Sequence, residues 1–193
     1  MVESFSPEFD NLFYFQHRMT TNPWDPEQPI WICENGTNEI FKFSNDGKRI
    51  LLKVGEHMKA GNDEYHFNGP NDIAFMPNGD FLIADGSRNR RIVRYSKDGK
   101  YLSQFGRDGK CPQGCPDMAP GEFGNLHAVA VDARQRIYVG DWGGGRIQVF
   151  DQHGKFIEQW PGIPRPSSIS VSKDQKYVWV TDDTSNKVLQ FNM

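Results

Sequence analysis

Apolar residues in this chain come in short alternating runs, each ended by an acid and a polar turn and then followed by a second apolar run. Four copies are legible: Ile30 to Glu34 followed by Glu39 to Phe43, Phe81 to Asp85 by Arg91 to Tyr95, Arg136 to Asp141 by Arg146 to Phe150, and Tyr177 to Asp182 by Lys187 to Phe191. Alternation with period two is the pattern of half-buried strands. The acids Glu34, Asp85, Asp141 and Asp182 recur roughly every 40 to 55 residues, the length of a four-stranded unit rather than of a helix pair. Within the second copy the expected strands are 72–75, 81–84, 92–95 and 101–105, parted by turns at Asn78-Gly79, Gly86-Ser87 and Asp98-Gly99. Asn-Gly and Asp-Gly accept the positive φ of tight hairpin turns, so each copy reads as an antiparallel meander.

A lone four-stranded sheet cannot cover two apolar faces, whereas successive sheets packed radially cover each other, which is the β-propeller solution. The expected fold class is therefore all-β, with about four four-stranded antiparallel blades over residues 15–55, 70–106, 126–161 and 166–193 of a single domain, 1–193. A sandwich of the same strands is the rival, but it would not need every meander to restart with the same acid and turn. No apolar stripe at helical spacing is long enough to compete with the strands. The fourth unit lacks an outermost strand, and the segment Phe9 to Phe15, within residues 1–15, is expected to supply it as a closing strand.

Charge and composition narrow the partners. The 193 residues carry a formal charge of −3 and a mean hydropathy of −0.68, which predicts a well-solvated surface. There is no basic patch for nucleic acid, and no apolar run approaches the roughly 20 residues of a membrane span, so neither is an expected partner. Met1-Val2-Glu3-Ser4-Phe5-Ser6 has neither the basic start nor the apolar core of a secretory signal, and export is not expected. Three cysteines are too few for a disulfide framework. Cys111 and Cys115 share a long loop and stand either as a local disulfide or as thiols, while Cys33 is expected to point inward from a strand.

The strand-and-turn grammar resembles NHL repeats, and the match tightens over residues 64–160. There, His66-Phe67-Asn68-Gly69-Pro70-Asn71-Asp72-Ile73-Ala74-Phe75, Asn89-Arg90-Arg91-Ile92-Val93, Leu126-His127-Ala128-Val129-Ala130-Val131 and Gly145-Arg146-Ile147-Gln148-Val149-Phe150 are similar to peptidyl-α-hydroxyglycine α-amidating lyase and its relatives. A weaker continuation runs upstream through His17-Arg18-Met19 and Ile30-Trp31-Ile32. The resemblance implies a six-bladed propeller, here shortened, that cleaves a C-terminal α-hydroxyglycine to a peptide amide and glyoxylate. It implies a zinc ion in the central channel, held by three histidines that open the innermost strands of alternate blades, and a nearby calcium held largely by backbone carbonyls. His17 and His127 match two of those histidines, and the third would open a fifth unit. Where the family has its catalytic tyrosine, after the Asp-Gly of the second blade, this chain has Ser87 and then Arg88. Where the family has a channel arginine, after the acid of the third blade, it has Trp142.

Catalytic zinc takes three protein ligands and keeps a fourth place open, so two imidazoles are a part-built site. On the enzyme reading His17 and His127 hold metal, Ser87 and Arg88 are the catalytic candidates, with Arg88 steadying a carboxylate, and Asn71 and Trp142 face the substrate. Serine is a weak base because its hydroxyl is not ionised near neutral pH. Plainer readings stand beside these. A histidine opening an inner strand can bond backbone across the channel, His57, His66 and His153 read as loop or surface residues, and the four repeated acids read as turn residues capping backbone N–H groups. Trp142 and Trp179 are either packing or rim aromatics. Gly69-Pro70-Asn71-Asp72 also resembles a motif of gluconolactonase-like propellers, which implies a sugar-lactone hydrolase, though the acidic metal ligands of that family have no signature here. The expected ligand is a peptide or small molecule in the channel, with a protein partner or self-association at open blade edges. The alternative function is a non-catalytic propeller that binds protein or peptide.

Overall fold

The computed structural model describes residues 7–111, 115 and 117–193. It is built from consecutive antiparallel meanders. Blade 1 contains β1 (Gln16–Thr21), β2 (Ile30–Glu34), β3 (Glu39–Phe43) and β4 (Ile50–Val54); blade 2 contains β5 (Asp72–Phe75), β6 (Phe81–Asp85), β7 (Arg91–Tyr95) and β8 (Tyr101–Phe105). A two-residue parallel pair, β9 (Arg107–Asp108) with β10 (Glu122–Phe123), bridges the long loop that follows. Blade 3 contains β11 (Leu126–Val131), β12 (Ile137–Asp141), β13 (Arg146–Phe150) and β14 (Phe156–Pro161), and blade 4 contains β15 (Pro166–Val171), β16 (Tyr177–Asp182) and β17 (Lys187–Asn192). The innermost strands β1, β5, β11 and β15 pack in that order around a common channel.

Alternation along each second strand decides which face meets which neighbour. Three residues before the acid, Trp31, Leu82 and Tyr138 face the next blade; two residues before it, Ile83, Val139 and Val180 face the previous one. The core is therefore a series of inter-blade layers, each holding large side chains that stabilise by roughly 1.5–3 kcal/mol apiece when fully buried. Trp31 lies 5.3 Å from Phe75 and 4.8 Å from Phe81, and Phe105 lies 4.9 Å from Phe150.

The repeated acids are struts. Each ends a second strand and accepts N–H groups from the entry to the first strand of the same blade: Phe15 to Glu34 (2.6 Å), Asn68 to Asp85 (2.9 Å), Gly124 to Asp141 (2.9 Å) and Arg165 to Asp182 (3.0 Å). Buried backbone donors must find such partners, so the acid recurs in every blade.

The expected closing strand is absent from the fourth sheet. Pro7–Leu12 is instead a 3-10 helix, and Phe9, Leu12 and Phe13 cover Ile32, Phe41 and Phe43 on the outward face of blade 1. Phe9, Phe13 and Phe15 alternate as a strand would, but Leu12 joins Phe9 and Phe13 at the spacing of one helical turn, and that face is the one buried. Phe9 meets Phe43 edge to face at 5.2 Å. Of the two cysteine readings, Cys111 and Cys115 form the disulfide, with Cα atoms 6.1 Å apart, and Cys33 is buried. Among the described residues no helix is long and apolar enough to cross a membrane.

Candidate functional site

The first residue to enter the channel from an innermost strand lies outside the ladder. In β1 the pairing steps from Gln16 with Glu34 to Arg18 with Cys33, in β11 from Leu126 with Asp141 to Ala128 with Gly140, and in β15 from Pro166 with Asp182 to Ser168 with Thr181. His17, His127 and Ser167 are the residues passed over. A bulge bends the strand and re-aims a side chain. In blade 2 the corresponding residue, Asn71, sits immediately before β5.

These bulges bring the two histidines together. The rings of His17 and His127, from blades 1 and 3, meet edge to face with centroids 4.7 Å apart. His17 Nδ1 donates to the Asn71 carbonyl at 2.7 Å, and His127 Nδ1 donates to the Ser167 carbonyl at 3.2 Å. A carbonyl only accepts, so Nδ1 carries the proton in both rings, and Nε2 of the neutral ring keeps its lone pair. Burial, and then the neighbouring His127, lower the His17 pKa below its usual range and favour that neutral form.

A row of rings extends from this pair. Phe15 contacts His17 at 6.2 Å, and Trp142 stacks on His127 at 6.1 Å. Arg165 lies over Trp142 to form a cation–aromatic shelf, its Cζ 4.4 Å from the ring centroid, while Trp142 Nε1 donates to Asp183 at 3.1 Å. Asn71 is buried and works as a strut: Nδ2 donates to the Leu126 carbonyl at 2.5 Å, and Oδ1 accepts from Asn35 at 2.7 Å and from the Ser87 hydroxyl at 3.0 Å. Arg88 is exposed on the β6–β7 turn, with Nη1 3.5 Å from Asn68 Oδ1. Thus His17, His127 and Trp142 share one cluster, Asn71 and Ser87 form the polar network beside it, and Arg88 stands at the rim.

Behind the histidines Asp72 ties three blades together. It pairs with Arg18 of blade 1 at 3.3 Å and accepts the Val129 N–H of blade 3 at 3.0 Å. Burial raises its pKa to about 6 against the pull of Arg18. Residues of all four innermost strands line an open cavity of about 560 Å³, with Ile73, Phe75, Val129, Val131 and Ile169 on its walls and Arg18 at its side. A larger groove of about 780 Å³ opens between the outer parts of blades 1 and 2, lined by residues such as Lys53, Tyr65 and Tyr101, and touches none of the expected site residues.

Zinc fits this site in kind and not in number. Two imidazoles, each fixed through Nδ1 by a carbonyl, present the ligand type and second-sphere support that zinc uses. Among the described residues no group of three or more His, Cys, Asp and Glu side chains is placed to hold a metal ion.

Comparison with known proteins places this architecture. The profile of the SMP-30/Gluconolactonase/LRE-like region matches residues 51–184. The chain belongs to this family. Among curated proteins, peptidyl-alpha-hydroxyglycine alpha-amidating lyase 1 of Drosophila melanogaster is 33% identical over 156 residues, covering 78% of this chain and 28% of that protein. NHL repeat-containing protein 3 of Homo sapiens is 30% identical over 166 residues, covering 80% of this chain and 45% of that protein. Among solved structures, a catalytically inactive virginiamycin B lyase from Staphylococcus aureus superposes with a TM-score of 0.62 at 18% identity, over 91% of this chain and 51% of that one. The chain thus spans less than half the length of these two curated relatives. It is an NHL-type β-propeller resembling the amidating lyases.

Several residues of this cluster are not visible as site residues in the sequence. Ser167 and Arg165 come from blade 4, where no ligand position is expected. Their signal is positional, since Ser167 aligns with His17 and His127 at the bulge. Asn35 follows its acid as Trp142 follows Asp141, and the same alignment would have drawn it in.

Proposed function

We propose that this chain supplies the histidine-bearing part of an amidating-lyase-type channel, which accepts the C-terminal end of a peptide carrying α-hydroxyglycine and leads to peptide amide and glyoxylate. The observation that carries the reading is the facing pair His17 and His127, each with Nδ1 committed to a carbonyl. His17 and His127 would hold zinc through Nε2, with a further donor from outside the described residues. When bound there, zinc polarises an oxygen or depresses the pKa of a bound hydroxyl. The chain's own groups bind and orient. Trp142 and Phe15 offer apolar surface beside the histidines, Arg88 at the rim is placed to meet a carboxylate, and the Ser87 hydroxyl keeps Asn71 in position. Calcium on backbone carbonyls is part of the same proposal.

The test is release of glyoxylate from an α-hydroxyglycine peptide by the purified chain with supplied zinc, alongside elemental analysis for zinc and calcium. Turnover abolished by His17→Ala and by His127→Ala supports the reading; no glyoxylate with zinc bound overturns it. A second reading, a non-catalytic module that binds protein or peptide, draws on the Trp142 and Arg165 shelf and on the engaged Ser87 hydroxyl. Saturable peptide affinity without glyoxylate would favour it. A lactone hydrolase would need acidic ligands converging on one metal, and the described residues hold no group of three or more His, Cys, Asp and Glu side chains placed for one.

A further inference from the structure

At the end of blades 1 and 2 remote from the histidines, the loops that follow β1, β5 and β7 border a groove of about 450 Å³. Its walls belong to the sides that these two blades turn to each other, where Trp31 already packs against Phe75 and Phe81. Two indoles line it in contrasting states. Trp24, on the β1–β2 loop, is 41% exposed, yet its loop is pinned: Asn22 Oδ1 accepts the Trp24 N–H at 2.9 Å, and Gln28 Nε2 donates to the Asn22 and Asp25 carbonyls at 3.2 and 2.7 Å. Trp31 is 2% exposed, and its buried Nε1–H has no acceptor among the described residues. An indole N–H only donates, and a buried donor left unbonded is costly, so this one marks a place for an oxygen from outside the chain.

Charge selects the kind of molecule that brings the oxygen. The described lining sets two lysines, Lys42 and Lys97, against two aspartates, Asp25 and Asp98. Such a balance favours neither an anion nor a cation, but it offers donors and acceptors side by side. An aromatic face held in place beside mixed polar groups suits a ring with a C–H face and a rim of hydroxyls. We propose that this groove binds a neutral pyranose unit, with Trp24 against its C–H face, hydroxyls shared between Lys97 and Asp98, and one oxygen accepting from Trp31 Nε1. Lys42 lies over the Trp31 ring, its Nζ 5.4 Å from the centroid and 3.5 Å from Asp25. A hydroxyl that engages Asp25 draws this long side chain aside and opens the way to Nε1.

Titration of the purified chain with the methyl pyranosides of glucose, galactose, mannose and N-acetylglucosamine, followed through the indole nitrogen–proton signals, tests the proposal. At least one of them is expected to move the Trp24 and Trp31 signals saturably, with a dissociation constant of about 1 mM, as suits a ligand of about a dozen heavy atoms. Trp24→Ala raises that constant roughly 10-fold or more. Trp31→Phe, which keeps a ring and removes the N–H, raises it about threefold or more, while His17→Ala in the channel leaves it unchanged. Should Trp31→Phe fail to fold, the shift of the wild-type Trp31 signal remains as the readout. The methyl glucuronide and glucosamine bind more weakly than the neutral sugar. Tighter binding of a neutral oligosaccharide that ends in the same sugar assigns the groove to a glycan, and equal binding assigns it to the free sugar. No saturable shift with any of the four, binding indifferent to Trp24→Ala, a charged sugar held as tightly as the neutral one, or shifts centred on Trp142 in place of Trp24 overturns the proposal.

Discussion

Asp72 shows how much of the channel rests on single side chains. It is the carboxylate through which blades 1, 2 and 3 meet directly behind the histidines, by way of Arg18 and the Val129 amide. Its folded pKa, raised from 3.8 to about 6 by burial, exceeds the unfolded value, so the folded state holds a proton that the unfolded chain has lost. The resulting stabilisation is full below the unfolded value and is lost as pH rises to about 6. Asp72→Asn is expected to flatten this part of the stability profile, which urea unfolding at a series of pH values across that window would show. The wild-type slope persisting in the variant would assign the titration to another group. At this scale the sequence was informative about His17 and His127, because their order and strand position match a family pattern. Nothing in it distinguished Asn71 as a strut from Asn71 as a substrate contact, since that depends on which neighbours fill its three bonds.

Between strands, the same device recurs with different chemistry. Arg91 opens β7 and Arg146 opens β13; each pairs with the buried acid of its blade and donates to carbonyls of the preceding loop. In blade 1 the position belongs to Glu39, which stands opposite the acid Glu34 and takes Lys53 at 3.1 Å and His57 at 2.8 Å instead, so the cation clamp on the blade's own acid is not repeated there. Arg146→Met leaves Asp141 buried without its cation, a loss of about 3–5 kcal/mol. Denaturant unfolding would register it, and a change below about 1 kcal/mol, the range of an exposed pair, would refute the clamp. The repeated acids were readable as turn residues because only a structural part must appear in every unit. The arginines were not, since a polar residue at a strand's start looks like ordinary solvent exposure until the loop folds over it. The 3-10 helix Pro7–Leu12 was misread for a related reason: six residues support both periods, and the neighbouring apolar face decides.

As a whole, the molecule is a series of blade interfaces, with blades 1 and 3 also meeting at the His17 and His127 rings. Stability in such an array is close to a sum of blade and interface terms. The ring-like order was the most legible property, because a strand pattern repeated four times leaves few ways to bury both faces of every sheet. What the outermost faces meet was less legible, as it depends on surfaces away from the repeat, such as Phe9 and Phe13 on blade 1. This order brings the rings of His17 and His127 together, and the central proposal is that both Nε2 atoms are there offered to a metal. Long-range nitrogen–proton spectra of the imidazoles during a zinc titration test it most directly. The account predicts that zinc shifts Nε2 of both histidines together while Nδ1 stays protonated, and that His17→Ala and His127→Ala each abolish the effect. Zinc shifting only one ring, or displacing the proton from Nδ1, would contradict it.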